Sequence, residues 1–214
     1  MKPLLDRYVA EVRSGPNGLF SRGDLERLEL HAADGAAGAP ILSGLGVASL
    51  VDIGSGGGVP GIPLAIEMPD AQVHLVESQQ WKAEFLLTCA RALDLESRVT
   101  VHGVRAEEAV AAIGRETLDA GVCRAVADPR ITCEYLAPLV RVGGHLALWA
   151  TREQAAEHVP LVPTELLGLA AEPELVPAPS ELRSSGILIV WAKVAPCVEK
   201  VPRRPGVAQR KQLR

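Results

Sequence analysis

From residue 48 onward, short apolar runs alternate with stretches of helical spacing, and this alternation restricts the fold more than any other feature. The expected strands are 49–53, 73–77, 99–102, 119–123 and 145–149, with helices over 62–68, 81–93, 107–113 and 131–140 between them. Strand–helix–strand units close by right-handed crossovers, so these segments predict a parallel sheet. The end of the chain breaks the rhythm. After a helix over 152–158, two strand-like runs, 169–176 and 187–194, are joined only by turn-rich residues from Pro177-Ala178-Pro179-Ser180 to Ser185-Gly186. No helix fits there, which predicts an antiparallel hairpin at one sheet edge and a seven-stranded α/β sheet in all.

Ahead of the sheet, 3–13 carries Leu4, Leu5, Tyr8, Val9 and Val12 at helical spacing and is stopped by Ser14-Gly15-Pro16-Asn17-Gly18. A second helix starts near Ser21, whose hydroxyl can cap it, and carries Leu25, Leu28 and Leu30. Residues 35–46 read as a small-residue connection. The expected organisation is a helical extension over 1–46, a main domain over 47–199 and a basic tail over 200–214.

Composition narrows the class. With 214 residues, 48% hydrophobic and 22% charged, the chain can bury one sizeable core, which excludes disordered, collagenous and coiled-coil classes. Every apolar stretch is interrupted before the ~18 residues a membrane span needs, and the charged start MKPLLDRYVAEVR lacks the apolar core of a signal peptide. Cys89, Cys123, Cys133 and Cys197 are widely spaced and read as reduced core residues of a cytoplasmic protein rather than a disulfide or zinc framework. The net charge of −4 conceals an asymmetry: residues 200–214 hold six basic groups and no acidic one, leaving 16 basic against 26 acidic in the body. Such a tail could grip a polyanion or serve only as a solvated extension. Aromatics are 3% of the chain, so any aromatic beside a cleft is notable.

The chemistry concentrates at Asp52-Ile53-Gly54-Ser55-Gly56-Gly57-Gly58, where the first strand turns into a helix. Five glycines within eight residues let the chain turn tightly and let a ligand touch the backbone, with helix N–H donors beyond. In an open α/β sheet this loop lies at the crevice where ligands bind. Gly56 to Gly61 satisfies G-x-G-x-x-G, a dinucleotide fingerprint that is weak alone. Asp52 to Gly58 also reads as D-x-G-x-G-x-G, which resembles the first motif of class I S-adenosylmethionine (SAM) methyltransferases. Glu77 ends the second strand, where a carboxylate can accept both ribose hydroxyls under either reading.

The resemblance narrows to one family. Asp52 to Pro63, DIGSGGGVPGIP, is similar to the signature of the bacterial small-subunit rRNA guanine-N7 methyltransferases, the RsmG or GidB family. Val76-Glu77-Ser78 with Lys82 and Phe85-Leu86, Arg105-Ala106-Glu107-Glu108, Arg124-Ala125-Val126-Ala127 and Pro202-Arg203-Arg204-Pro205-Gly206 resemble further family segments in the same order. The resemblance implies a class I Rossmann-like fold, SAM as methyl donor with S-adenosylhomocysteine as product, and rRNA or a small-subunit particle as acceptor, with no metal and no membrane partner. By it, Asp52, Gly54, Gly56, Gly58, Val59 and Glu77 hold the cofactor. Ala106 and Glu107 flank its adenine, and Arg124 faces cofactor and substrate as an orienting group.

In the N-terminal segment the chain keeps Asn17, His31 and Asp34 of the family pattern. After the fifth strand it reads Trp149-Ala150 where the family has lysine and glycine. Trp149 is expected to line the acceptor pocket and stack on a flipped base, and Arg203 and Arg204 to meet RNA phosphates. A small-molecule acceptor on the same fold, another RNA site and an NAD(P)-binding oxidoreductase are the competing readings.

Overall fold

A computed structural model describes residues 2–124, 128–178, 186–211 and 213. Four helices precede the sheet: α1 (Lys2–Ser14), α2 (Arg22–Glu26), α3 (Leu28–Ala36) and α4 (Ala39–Gly44). The alternating part follows as β1 (Ser49–Ile53), α5 (Gly61–Glu67), β2 (Gln72–Val76), α6 (Gln80–Ala92) and β3 (Val99–His102). It continues as α7 (Ala109–Ile113), β4 (Leu118–Arg124), α8 (Pro129–Leu136) and β5 (Val140–Thr151). After α9 (Arg152–His158) and α10 (Thr164–Leu167) come β6 (Glu174–Pro177), β7 (Gly186–Ala192) and α11 (Val207–Arg210).

The seven strands lie in the order β3-β2-β1-β4-β5-β7-β6. β1 to β5 run parallel, and β7 is antiparallel to both β5 and β6. The order reverses between β1 and β4, so the crevice expected of such sheets opens beyond the carboxyl ends of those strands. β1 shows how the layers are built: Leu50 faces the side packed by α1, α5 and α6, whereas Val51 and Ile53 face the side packed by α8. Asp52 shares the face of Leu50, which aims its carboxyl at the start of α5.

Local chemistry sets several boundaries. Ser21 caps α2, its hydroxyl accepting from Asp24 N–H at 3.2 Å. Asp128 caps α8 with Pro129 at its first position, and Thr151 with Gln154 forms a capping box on α9. Four expectations shift. Residues 35–46 contain α4, because Pro40 sits in the first turn and Leu42 is fully buried. The helix expected over 131–140 stops at Leu136, and β5 already begins at Val140 and runs to Thr151. The expected helix 107–113 is a 3-10 turn, Ala106–Glu108, leading into the shorter α7. The strand expected over 169–176 narrows to Glu174–Pro177, with Leu169 making only an isolated bridge to Lys193. The turn from Ser180 to Ser185 lies outside the described residues.

All four cysteines are buried and none forms a disulfide. Among the described residues, no helix is long and apolar enough to cross a membrane.

The C-terminal segment is docked on the domain. Val201 is fully buried, Arg115 donates to Val201 O at 2.7 Å, and Gly206 N–H donates to Glu107 at 3.0 Å. Arg203 grips Glu134 through two side-chain donors, at 2.7 and 2.6 Å. The Glu134 side chain is only 2% exposed. Arg203 is therefore a structural clamp rather than the phosphate contact expected from the sequence, whereas Arg204 is exposed. Removing one member of a buried pair strands the other charge. Arg203→Ala should cost about 3–5 kcal/mol of stability by urea denaturation, and Arg204→Ala should stay within about 0.5 kcal/mol.

Candidate functional site

The loop after β1 is held from three sides. Above the strand ends, Gly54 N–H and Ser55 N–H both donate to Val76 O, at 2.8 and 3.1 Å, which folds the chain back over β2. Beneath it, Asp52 Oδ2 accepts from Gly61 N–H at 3.0 Å. From β2, Glu77 Oε2 accepts from Gly56 N–H at 3.0 Å and Oε1 from Gln79 N–H at 2.8 Å. The turn requires left-handed backbone at Gly56, whose φ is 55°.

Asp52 stands out electrostatically. It is almost completely buried, and its Oδ1 has no hydrogen-bond partner among the described residues. Burial raises its pKa to about 7, against the lowering influence of the Gly61 N–H, Ser55 and Arg124. A carboxyl with one bare oxygen beneath a glycine loop fits a site that receives a cationic ligand group.

The N-terminal helices supply the opposite wall. Tyr8 of α1 donates to Gly57 O at 2.8 Å, and a Cβ on Gly57 would collide with the Phe20 ring. Arg124, at the end of β4, donates to Asp34 at 3.0 Å and to His31 Nδ1 at 2.8 Å. His31 Nε2 then faces Asp24 Oδ1 at 3.1 Å, and Ser21 donates to Asp24 at 2.6 Å. Since Arg124 can only donate, His31 Nδ1 must accept and Nε2 carries the proton. Burial, and then the charge of Arg124, lowers the His31 pKa, so the imidazole is neutral at physiological pH. The loop, the segment from Gly18 to Asp24, Lys82 and Arg124 together enclose a cleft of about 530 Å³.

The structure brings some expected site residues together and separates others. Gly54, Gly56, Val59 and Arg124 line the cleft, with Asp52 and Glu77 directly behind the loop. Gly58 does not line it: a Cβ there would meet Ile62, Leu86 and the Tyr8 hydroxyl, so this glycine serves the packing of loop against helix. Ala106 packs on the layer behind the sheet, and the Glu107 carboxylate accepts from Gly206 N–H and the Tyr135 hydroxyl. Trp149 requires the largest correction. It is 5% exposed, its indole N–H donates to Asp34 O at 2.8 Å, and a Cβ on Gly38 would strike its ring. It has no open face for a base and instead braces α3 and α4 against the sheet.

Several cleft residues lay outside the sequence-based site: Leu19, Phe20, Asp24 and Lys82. Only Lys82 carried a signal, as part of the segment following Glu77.

Residues 3–165 match the model of the family described as rRNA small subunit methyltransferase G, or GidB. The chain belongs to that family. A relative from Roseiflexus sp. bearing that name is 40% identical over 228 residues, spanning 97% of this chain and 89% of its own length. One from Rubrobacter xylanophilus is 37% identical over 175 residues, spanning 77% of this chain and 65% of its own. Among solved structures, an O-methyltransferase assigned as putative from Klebsiella pneumoniae superposes with a TM-score of 0.60 at 16% identity, covering 90% of both chains. A SAM-dependent methyltransferase, also assigned as putative, from Methanococcus maripaludis gives 0.56 at 18%, covering 78% of this chain and 88% of that one. The fold is that of class I methyltransferases, and this GidB family member is a methyltransferase that uses SAM. The dinucleotide reading of Gly56 to Gly61 is thereby set aside.

The Trp149 brace is open to measurement. Truncating a buried tryptophan costs about 3–5 kcal/mol, so Trp149→Ala should lose that much stability in urea denaturation.

Proposed function

We propose that this methyltransferase transfers a methyl group to N7 of a guanine in small-subunit rRNA, acting in the cytoplasm on RNA or a ribosomal particle. The observation that carries this reading is the family match over residues 3–165, which takes in both the glycine loop and the His31–Asp34–Arg124 network facing it. In this reading residues 47–199 form the methyltransferase domain, 1–46 the extension that walls its cleft, and 200–214 the tail that closes its far side.

Asp52, Gly54, Gly56, Val59 and Glu77 hold the cofactor. The bare Oδ1 of Asp52 meets its ammonium, and the free lone pairs of Glu77 take the ribose hydroxyls. Ala106 and the backbone of its turn bound the adenine, the Glu107 carboxylate being occupied by the tail. When bound, SAM supplies an electrophilic methyl on a sulfonium centre.

Guanine N7 is an unprotonated lone pair at neutral pH, so its attack needs no proton acceptor. The contribution of the chain is orientation. His31 suits this, since it is neutral with both ring nitrogens engaged, and it fixes the Arg124 guanidinium at the cleft wall rather than moving a proton.

Three measurements test the reading. Incubation with methyl-labelled SAM and small ribosomal subunits, or their naked rRNA, should label that RNA; label absent from both would overturn it. At Gly56 a Cβ would have no neighbour nearer than 3.8 Å, so Gly56→Val would push methyl groups into the open cleft from a strained backbone. Strain of about 1–2 kcal/mol is tolerable, and SAM affinity by calorimetry should fall at least about tenfold.

The third concerns pH. With Asp52 near 7, a cationic ligand group favours its ionised form. The ionised fraction of such a group grows about tenfold between pH 6 and 8. SAM affinity should therefore rise about tenfold across that range, and Asp52→Asn should abolish the rise. In the free protein the sign reverses. The raised pKa favours the folded state at low pH, and that contribution is lost as pH climbs from about 4 to about 7.

A further inference from the structure

Trp81 is the one exposed aromatic among the described residues, at 38%; Tyr8, Phe85, Tyr135, Trp149 and Trp191 are buried, and Phe20 is half-buried. A large ring left in water at a random place needs no account, but this one stands at the mouth of the cleft. Its Cη2 lies 3.5 Å from where a Cβ on Gly18 would be, and Gly18 lines the cleft. Its indole N–H donates to Gln79 Oε1 at 3.2 Å, which sets the ring's orientation with its polar edge already satisfied. The neighbouring Lys82 lines the cleft as well, its Nζ 5.3 Å from the centre of the Trp81 ring.

The charge at Lys82 is as informative as the ring. It occupies the first turn of α6, a helix of 13 residues with no acidic group in that turn. A cation there opposes the helix dipole. Among the described residues, its ammonium has no ion pair or hydrogen bond to offset this, only the face of Trp81. A cation in an unfavourable field, at a cleft edge beside a half-exposed indole, has the two chemistries that single-stranded nucleic acid meets: a ring for a base and a charge for a phosphate.

We propose that Trp81 and Lys82 form the acceptor lip of the cleft, where a nucleotide flanking the target guanine stacks on the indole and places its phosphate on Lys82. The proposal rests on the rRNA reading above and adds where the strand enters. The other candidates carry less. The His74–His102 pair, 3.0 Å apart, has no third ligand among the described residues. The cavity of about 160 Å³ beneath the tail has its Arg203 and Glu134 already bound to each other.

The variants are Trp81→Ala, Trp81→Phe and Lys82→Gln, with the melting temperature of each measured beside the wild type. Loss of a base–aromatic stack corresponds to about 5–150-fold in affinity. Trp81→Ala should raise KM for small-subunit rRNA within that range, and Trp81→Phe should stay within about threefold of wild type. SAM affinity by calorimetry should be unchanged in both. Lys82→Gln should flatten the salt dependence of RNA binding by about 0.7 in log slope.

Fluorescence gives an activity-independent reading. Trp149 and Trp191 are buried, so the iodide-quenchable emission belongs to Trp81, and single-stranded rRNA fragments should shield it from iodide. Normal KM in Trp81→Ala with no shielding in the wild type would overturn the proposal alone. Shielding by an RNA-free protein partner but not by RNA would also overturn it. Failure of the wild type to methylate rRNA would overturn the functional reading, and the proposal with it.

Discussion

Two buried carboxylates hold the glycine loop in place, and the arrangement of the cleft follows from them. β1 and β2 run in register, Ile53 beside Val76, so Asp52 and Glu77 are delivered to the same end of the sheet by adjacent strands. Each accepts a backbone N–H from the loop region, Gly61 for one and Gly56 for the other. Buried acceptors that bind backbone donors fix a loop more firmly than side-chain contacts on its surface could, because leaving either unpaired is costly. The hydrogen bonds are shared unequally. Glu77 accepts one backbone N–H on each oxygen, whereas Asp52 keeps one oxygen bare and is held partly neutral by burial. That imbalance suits Asp52 to receive a positive ligand group.

The second wall depends on long-range contacts. Arg124 at the end of β4 meets Asp34 and His31, which come from a helix some ninety residues earlier. Trp149 on the neighbouring β5 meets the backbone of Asp34. The parallel register that sets Arg124 beside Trp149 thus gives the N-terminal helices two anchors on one sheet edge. They add to the buried packing of Leu19 and Leu28 in holding the segment carrying Phe20 and Asp24 against the loop. The helical extension is in this sense part of the site, and its core residues are continuous with those of the sheet.

The alternation of strand and helix was legible because buried parallel strands are short apolar runs and their crossovers are amphipathic. Elements without a period were not. α4 is built from Ala39, Pro40, Ile41, Leu42, Ser43 and Gly44, too short and small to show one, and the isolated bridge at Leu169 looks locally like strand. At the site, the loop and its two carboxylates were readable since the chemistry is local in sequence. Trp149 and Arg203 were misread for one shared reason. A tryptophan ending a strand faces either ligand or core, and an arginine in a tail meets either phosphate or carboxylate; the partners that decide, Asp34 and Glu134, lie 115 and 69 residues away. Lys82 and Trp81 show the converse, adjacent residues whose meaning appears only once Gly18 is brought alongside.

Whether this cleft presents a guanine of small-subunit rRNA to the methyl donor is tested most directly by methyl mapping. Small-subunit rRNA from cells lacking the protein, with and without the protein restored, would be digested and its modified nucleotides located by mass spectrometry. One additional N7-methylguanosine, at a single position, should appear only on restoration. An unchanged methylation pattern, or a new methyl group on a different atom, would contradict it.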